Sequence, residues 1–150
     1  MSYTIDFLTP NATTTDEVAR INLLLQQLKK GIPQMPRQQL EEVLDEGSVV
    51  AIARDDTKKI IGMATLIFYS KLAKGVVGII EDVVVDEAHQ KQGIGTVLME
   101  RLLAIAQQKK LGSVYLTSNN ARQAAHRMYE KLGFKKVDTN FFGIVFSYTE

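Results

Sequence analysis

The chain has 150 residues, of which 45% are apolar and 23% charged, and this composition excludes disordered and fibrous proteins. Its formal net charge is +1, so charge alone points to neither nucleic acid nor a membrane surface. Cysteine is absent, which excludes a disulfide scaffold, a thiolate metal site and a cysteine nucleophile.

The length fits one domain, here residues 1–150. No apolar run approaches the ~20 residues that span a bilayer. The first residues, Met1 to Asp6, lack the basic and then apolar pattern of a signal peptide. The expected location is the cytoplasm. The two histidines, His89 and His126, are far apart in sequence, and no segment has metal-ligand spacing, so no metal is expected.

In chain order, Tyr3–Leu8 alternates as a strand does. Thr13-Thr14-Thr15-Asp16-Glu17 offers helix caps, and Val18, Ile21, Leu24, Leu25 and Leu28 follow at helical spacing until Gly31 and Pro33. A second helix is predicted over Arg37–Glu46, with Leu40, Val43 and Leu44 inward. Ser48–Arg54 and Ile60–Tyr69 read as a hairpin around Asp55–Lys59. Val76–Val85 is a long β-branched run. Ile94–Lys110 is the strongest helix, with Ile94, Val97, Leu98, Leu102 and Ile105 inward and Gly112 closing it. Ser113–Thr117 reads as a short strand and Ala121–Leu132 as a helix capped by Asn119 or Asn120. Phe134–Asp138 and Phe142–Tyr148 read as two last strands. This order predicts the α/β class: a mixed, mostly antiparallel central sheet with helices on its faces.

The segment from Val83 to Thr96 carries the functional argument. An apolar strand ends, a polar loop follows, and Gly93 and Gly95 open a helix. The first turn of a helix has unpaired N–H groups and a partial positive charge, which suit a phosphate oxygen. Glycines let an anion approach the backbone, and Gln90, Lys91 and Gln92 add donors and one cation. The same glycines also fit a plain turn. The loop is neither a P-loop nor the dinucleotide fingerprint, because the Lys-Ser/Thr pair and the third glycine are missing.

Gln90-Lys91-Gln92-Gly93-Ile94-Gly95 matches an Arg/Gln-x-x-Gly-x-Gly/Ala loop. Leu116-Thr117-Ser118, Arg122, Ala124-Ala125-His126 and Tyr129-Glu130-Lys131-Leu132-Gly133-Phe134 match a second motif. Together they make the chain resemble the GNAT superfamily of N-acetyltransferases, most strongly over Val76–Val137. Lys91 stands where that family frequently has glycine. The resemblance implies acetyl-coenzyme A as acyl donor, with its pyrophosphate on Gln90, Lys91, Gln92, Gly93, Ile94, Gly95 and Thr96. It implies that Val76–Val85 splays from a parallel neighbour, Ser113–Thr117, and that the pantetheine arm pairs with the backbone of Val83 and Val85. Arg122 is a candidate for a coenzyme phosphate and Asn119 for the pantetheine; an exposed arginine and a helix cap are the plain alternatives.

Acetyl transfer to an amine needs a base, an oxyanion donor and an acid for the departing thiolate. Glu81 and Asp82 interrupt the apolar strand and point to opposite faces; Glu81 is the candidate base, directly or through water. By resemblance, a backbone N–H near Val83 stabilises the oxyanion. Arg122, His126 and Tyr129 share one helical stripe, and the second motif makes Tyr129 the candidate acid. His126 could serve as a base on pH grounds, but its place on the helix surface fits a cofactor edge or solvent better. Gln34, Met35 and Arg37 lie in a region that in this family often borders the acceptor. The expected function is direct attack by a primary amine, of a small molecule or a peptide, in a ternary complex. A non-catalytic acyl-CoA-binding regulatory module is the alternative. Two-fold association is common in the family, so a homodimer is compatible with the sequence.

Overall fold

The computed structural model describes residues 2–119 and 121–147. They contain β1 (Thr4–Phe7), α1 (Thr15–Leu28), α2 (Arg37–Asp45), β2 (Val49–Arg54), β3 (Ile60–Lys71), β4 (Gly75–Val85), α3 (Ile94–Gln108), β5 (Val114–Leu116) and α4 (Gln123–Lys131). The chain forms two compact units, one up to Thr117 and one from Ser118 onward.

The first unit holds one sheet in the order β1-β2-β3-β4-β5. Its first three pairings are antiparallel and β4–β5 is parallel, as the mixed, mostly antiparallel reading expects. Helix α1 starts where its caps predict. Thr14 Oγ1 accepts from the Glu17 N–H, and Glu17 Oε1 accepts from the Thr14 N–H, both at 3.1 Å. This capping box satisfies two donors that the first turn leaves unpaired.

One face of the sheet meets α3. A Cβ at Gly62 would lie 3.2 Å from Ile94 Cγ2 and 3.3 Å from Leu98 Cδ1, so glycine there lets the helix sit close to β3. The other face packs Met63, Val84, Val50 and Ile52 against Ile21 and Leu24 of α1 and Leu40 and Leu44 of α2. The buried stripe of α3 is Ile94, Leu98, Met99, Leu102 and Ala106. Val97 and Ile105, expected inward, are only half-buried. The stripe is rotated toward Met99 and Ala106 because residues at i, i+4, i+5, i+8 and i+12 stay on one face of a 3.6-residue helix.

The two last predicted strands are a correction. Residues 134–147 contain no strand; Tyr148 lies outside the described residues. Phe141, Phe142, Ile144, Val145 and Phe146 are exposed instead. Apolar, β-prone side chains do not make a strand without a neighbour to take their backbone hydrogen bonds.

Candidate functional site

The site is built around the second half of β4. β5 pairs with β4 only at Gly78–Val114, Ile79–Tyr115 and Ile80–Leu116. β4 continues five residues further, to Val85, with β3 on one side and no strand on the other among the described residues. The pairing of the parallel strands therefore ends at Ile80, which leaves the second half of β4 unpaired on that side among the described residues.

A bulge accompanies this end of pairing. Met63 pairs with Val84 but Thr65 pairs with Glu81, so Asp82 and Val83 both face Ala64. Asp82 has a left-handed backbone, φ +56°. An extra residue bends its strand and increases the local twist, here just beyond the last residue that pairs with β5. The bulge also resets the side-chain alternation. Glu81, opposite Thr65, shares a face with Val84, opposite Met63, although three positions separate them. That is the face packed by α1 and α2.

The backbone beyond the bulge has a defined direction. The Asp86 N–H donates to the Ile61 carbonyl at 2.8 Å. Hydrogen-bonded and non-bonded pairs alternate in an antiparallel ladder, so Val85, opposite Gly62, turns its N–H and C=O toward the open side. Its carbonyl accepts from Gln90 Nε2 at 3.2 Å.

After β4 the chain makes a 3-10 turn, Glu87–His89, and enters α3 through Gly93. Gly93 is the N-cap residue at φ +79°, ψ 6°, and no side chain caps the helix. The first-turn amides of Ile94, Gly95 and Thr96 thus keep their donor capacity for an anion. A Cβ on Gly93 would meet no atom of the described residues within 4 Å, so the space beside this glycine is open among them. Gln90, Lys91 and Gln92 are exposed, Gly95 and Thr96 half-buried. Ile94 is buried against Gly62, so it can offer a ligand only its backbone. These features fit a diphosphate at the helix mouth and a pantetheine arm beside β4.

Lys91 also has a left-handed backbone, φ +65°. A side chain there costs about 1–2 kcal/mol, part of which glycine returns as unfolded-state entropy. Lys91→Gly is expected to raise the ligand-free melting temperature by about 2 °C, read by calorimetry, while removing one cation from the loop. A lowered melting temperature would contradict the strain.

Glu81 is half-buried, and burial first and the Asp82 charge second push its carboxyl above the usual range. Asp82 reaches solvent, yet desolvation by the surrounding protein raises its carboxyl too. Met35, in the α1–α2 loop, is held by the buried Asn22 amide, which donates to its carbonyl at 2.9 Å and accepts from its N–H at 2.8 Å. Arg37 bonds the Thr13 carbonyl and Thr15 Oγ1. Gln34 is exposed.

In the second unit, Tyr129 is buried on α4, with Phe134 edge-on at 6.1 Å and 68°. Burial raises its phenol pKa and the Arg122 charge opposes that rise. Arg122 is exposed and stands at the N-cap of α4 without a side-chain cap bond. Asn119 does not cap the helix: its Oδ1 accepts from the Ala121 N–H at 2.9 Å, forming a turn ahead of α4. Asn120 lies outside the described residues. His126 is half-buried. Among the described residues no group of three or more His, Asp or Glu is arranged to hold a metal ion, and no helix is long and apolar enough to cross a membrane.

Two features of the site escaped sequence reading. The bulge at Asp82–Val83 has a weak signal, two acids inside an apolar strand. The network around Asp86 has none, because its partners, Arg20 and Gln27, are about sixty residues away.

Comparison with known proteins agrees with this geometry. Residues 18–134 match the Acetyltransferase (GNAT) family. A glucosamine 6-phosphate N-acetyltransferase of Trypanosoma brucei brucei is 38% identical over 81 residues, 53% of this chain and 53% of that protein. The match thus spans about half of that relative's length. Human N-acetyltransferase 8B is 35% identical over 60 residues, 40% of this chain and 26% of that protein. Among solved structures, an acetyltransferase of Trypanosoma brucei superposes with a TM-score of 0.77 at 26% identity, covering 96% of this chain and 100% of that one. The glucosamine-6-phosphate N-acetyltransferase of Arabidopsis thaliana gives 0.78 at 21% identity, with 98% and 100% covered; at that identity it speaks for the fold.

Proposed function

Because the chain belongs to the GNAT acetyltransferase family, we propose that it is an acetyl-CoA-dependent N-acetyltransferase, one domain over residues 1–150, acting on a primary amine. The observation that carries this reading is the end of the β4–β5 pairing next to an uncapped helix mouth whose glycine has open space before it. Acetyl-coenzyme A supplies an activated acyl group as its thioester. The first-turn amides of α3, with Gln90, Lys91 and Gln92, hold its diphosphate, and the backbone of Val83 and Val85 pairs with its arm. In this reading Arg122 and Asn119 add contacts to the coenzyme, and a backbone N–H near Val83 takes the developing oxyanion.

Glu81 removes the proton from the acceptor amine, directly or through water, as the amine attacks in a ternary complex. Its raised pKa supports this role, since a carboxylate is a better base the nearer its pKa lies to the working pH. Tyr129 gives a proton to the departing thiolate. For the acceptor, the name of the Trypanosoma relative makes amino sugar phosphates the first compounds to test.

The test is coenzyme A release with acetyl-CoA and a panel of amines, starting from glucosamine 6-phosphate, with product mass. Turnover on one amine supports the enzyme. Tight binding of acetyl-CoA without turnover on any amine overturns it in favour of a binding module. A pH series adds a check on the base. Glu81 must be ionised to act, so kcat/KM should fall as pH drops through its raised pKa, and Glu81→Gln should lower kcat about a hundredfold and abolish that limb. A Glu81→Gln variant with the wild-type profile assigns the proton to another group.

A further inference from the structure

The donor reading leaves the cluster around Asp86 without a role. Asp86 follows β4 and precedes the phosphate loop, and it is buried. Its carboxylate accepts from Arg20 Nη2, from Gln27 Nε2 at 3.3 Å and from the Ala88 N–H at 3.3 Å. Its own N–H is held by Ile61, and its carbonyl accepts from the His89 N–H at 2.7 Å. Arg20 Nε donates to the Ile60 carbonyl at 2.7 Å, and Gln27 Oε1 accepts from the Glu87 N–H at 3.0 Å. Arg20 and Gln27 are seven residues apart on α1, so two helical turns bring them to one face. Helix α1 therefore grips both β3 and the first residues of the loop.

We propose that Arg20, Gln27 and Asp86 are positioning residues that set the donor-phosphate loop before the donor arrives. The inference rests on the donor reading of that loop. The physical gain is entropic. A loop of free residues, Glu87 to Gly93, has to be ordered when a diphosphate binds, and that cost subtracts from affinity. Here three charge-assisted or amide contacts, made by two side chains of a packed helix, fix its first residues in advance. Asp86 favours the ionised form: burial raises its carboxyl pKa, but the Arg20 hydrogen bond, the Ala88 N–H and Gln27 outweigh that and hold it below the usual range.

Two variants test it. Asp86→Asn keeps the shape and removes the charge. Gln27→Ala removes an exposed side chain whose loss does not threaten the core. In both, the dissociation constant for coenzyme A, by calorimetry, and KM for acetyl-CoA should rise, about tenfold for Asp86→Asn and about threefold for Gln27→Ala. The kcat at saturating donor should stay within about twofold of wild type. Hydrogen exchange without ligand should speed up at residues 87–96 and stay unchanged in β2 and β3. Unchanged coenzyme affinity and unchanged exchange at 87–96 would overturn the proposal, as would equal losses in kcat and affinity with faster exchange throughout. Wild-type protein that fails to bind coenzyme A would instead overturn the donor reading, and exchange at 87–96 would then decide the clamp alone.

Discussion

Tyr129→Phe is expected to lower kcat about a hundredfold while changing KM for acetyl-CoA less than threefold. The variant removes one oxygen and keeps a ring that is buried and edge-on to Phe134, so packing and melting temperature should change little. The effect sits at the low end for general acids, which contribute about a hundredfold to ten-thousandfold, because a thiolate of pKa about 8.5 can also depart unprotonated. Burial raises the phenol pKa against the opposing Arg122 charge. Tyr129 is then protonated across the neutral range, as a proton donor must be. Steady-state kinetics with saturating acetyl-CoA and a reactive amine read the change. Wild-type kcat in the phenylalanine variant removes Tyr129 from the mechanism.

Gly93→Val should weaken coenzyme A binding at least fiftyfold. The residue sits at φ +79°, where a side chain costs about 1–2 kcal/mol and a β-branched one more. The added Cβ meets no atom of the described residues within 4 Å, so the protein should still fold, with a melting temperature lower by about 2–6 °C. The new side chain then occupies the approach to the first-turn amides of α3. Gly93→Ala separates the two causes: it carries most of the strain and little of the bulk, and should bind several-fold better than the valine variant. Calorimetry with coenzyme A measures both. Wild-type affinity in Gly93→Val would place the diphosphate elsewhere.

Local patterns were legible where local physics decides. The caps Thr14 and Glu17, the apolar period of α1, and the glycines closing helices set those elements within a residue or two, because capping and periodicity act over a few residues. The loop from Gln90 to Thr96 was legible for the same reason: strand, polar loop, glycines and helix are contiguous in the chain. The sequence pattern places the start of α4 two residues early, since Asn119 spends its side chain on Ala121 rather than on the helix.

By itself the sequence determined the element order as far as α4, the glycine opening of α3 at Gly93 and, through its two motifs, the family. Only the tertiary structure decided three other things. Pairing partners made or withheld strands, so β5 stops at Leu116 and the apolar residues near Phe142 form none. A mismatch between β3 and β4 made the bulge that puts Glu81 and Val84 on one face. Contacts across about sixty residues joined Arg20 and Gln27 to Asp86. Each depends on which distant backbone or side chain supplies the other half of a hydrogen bond, and spacing along a chain does not carry that information.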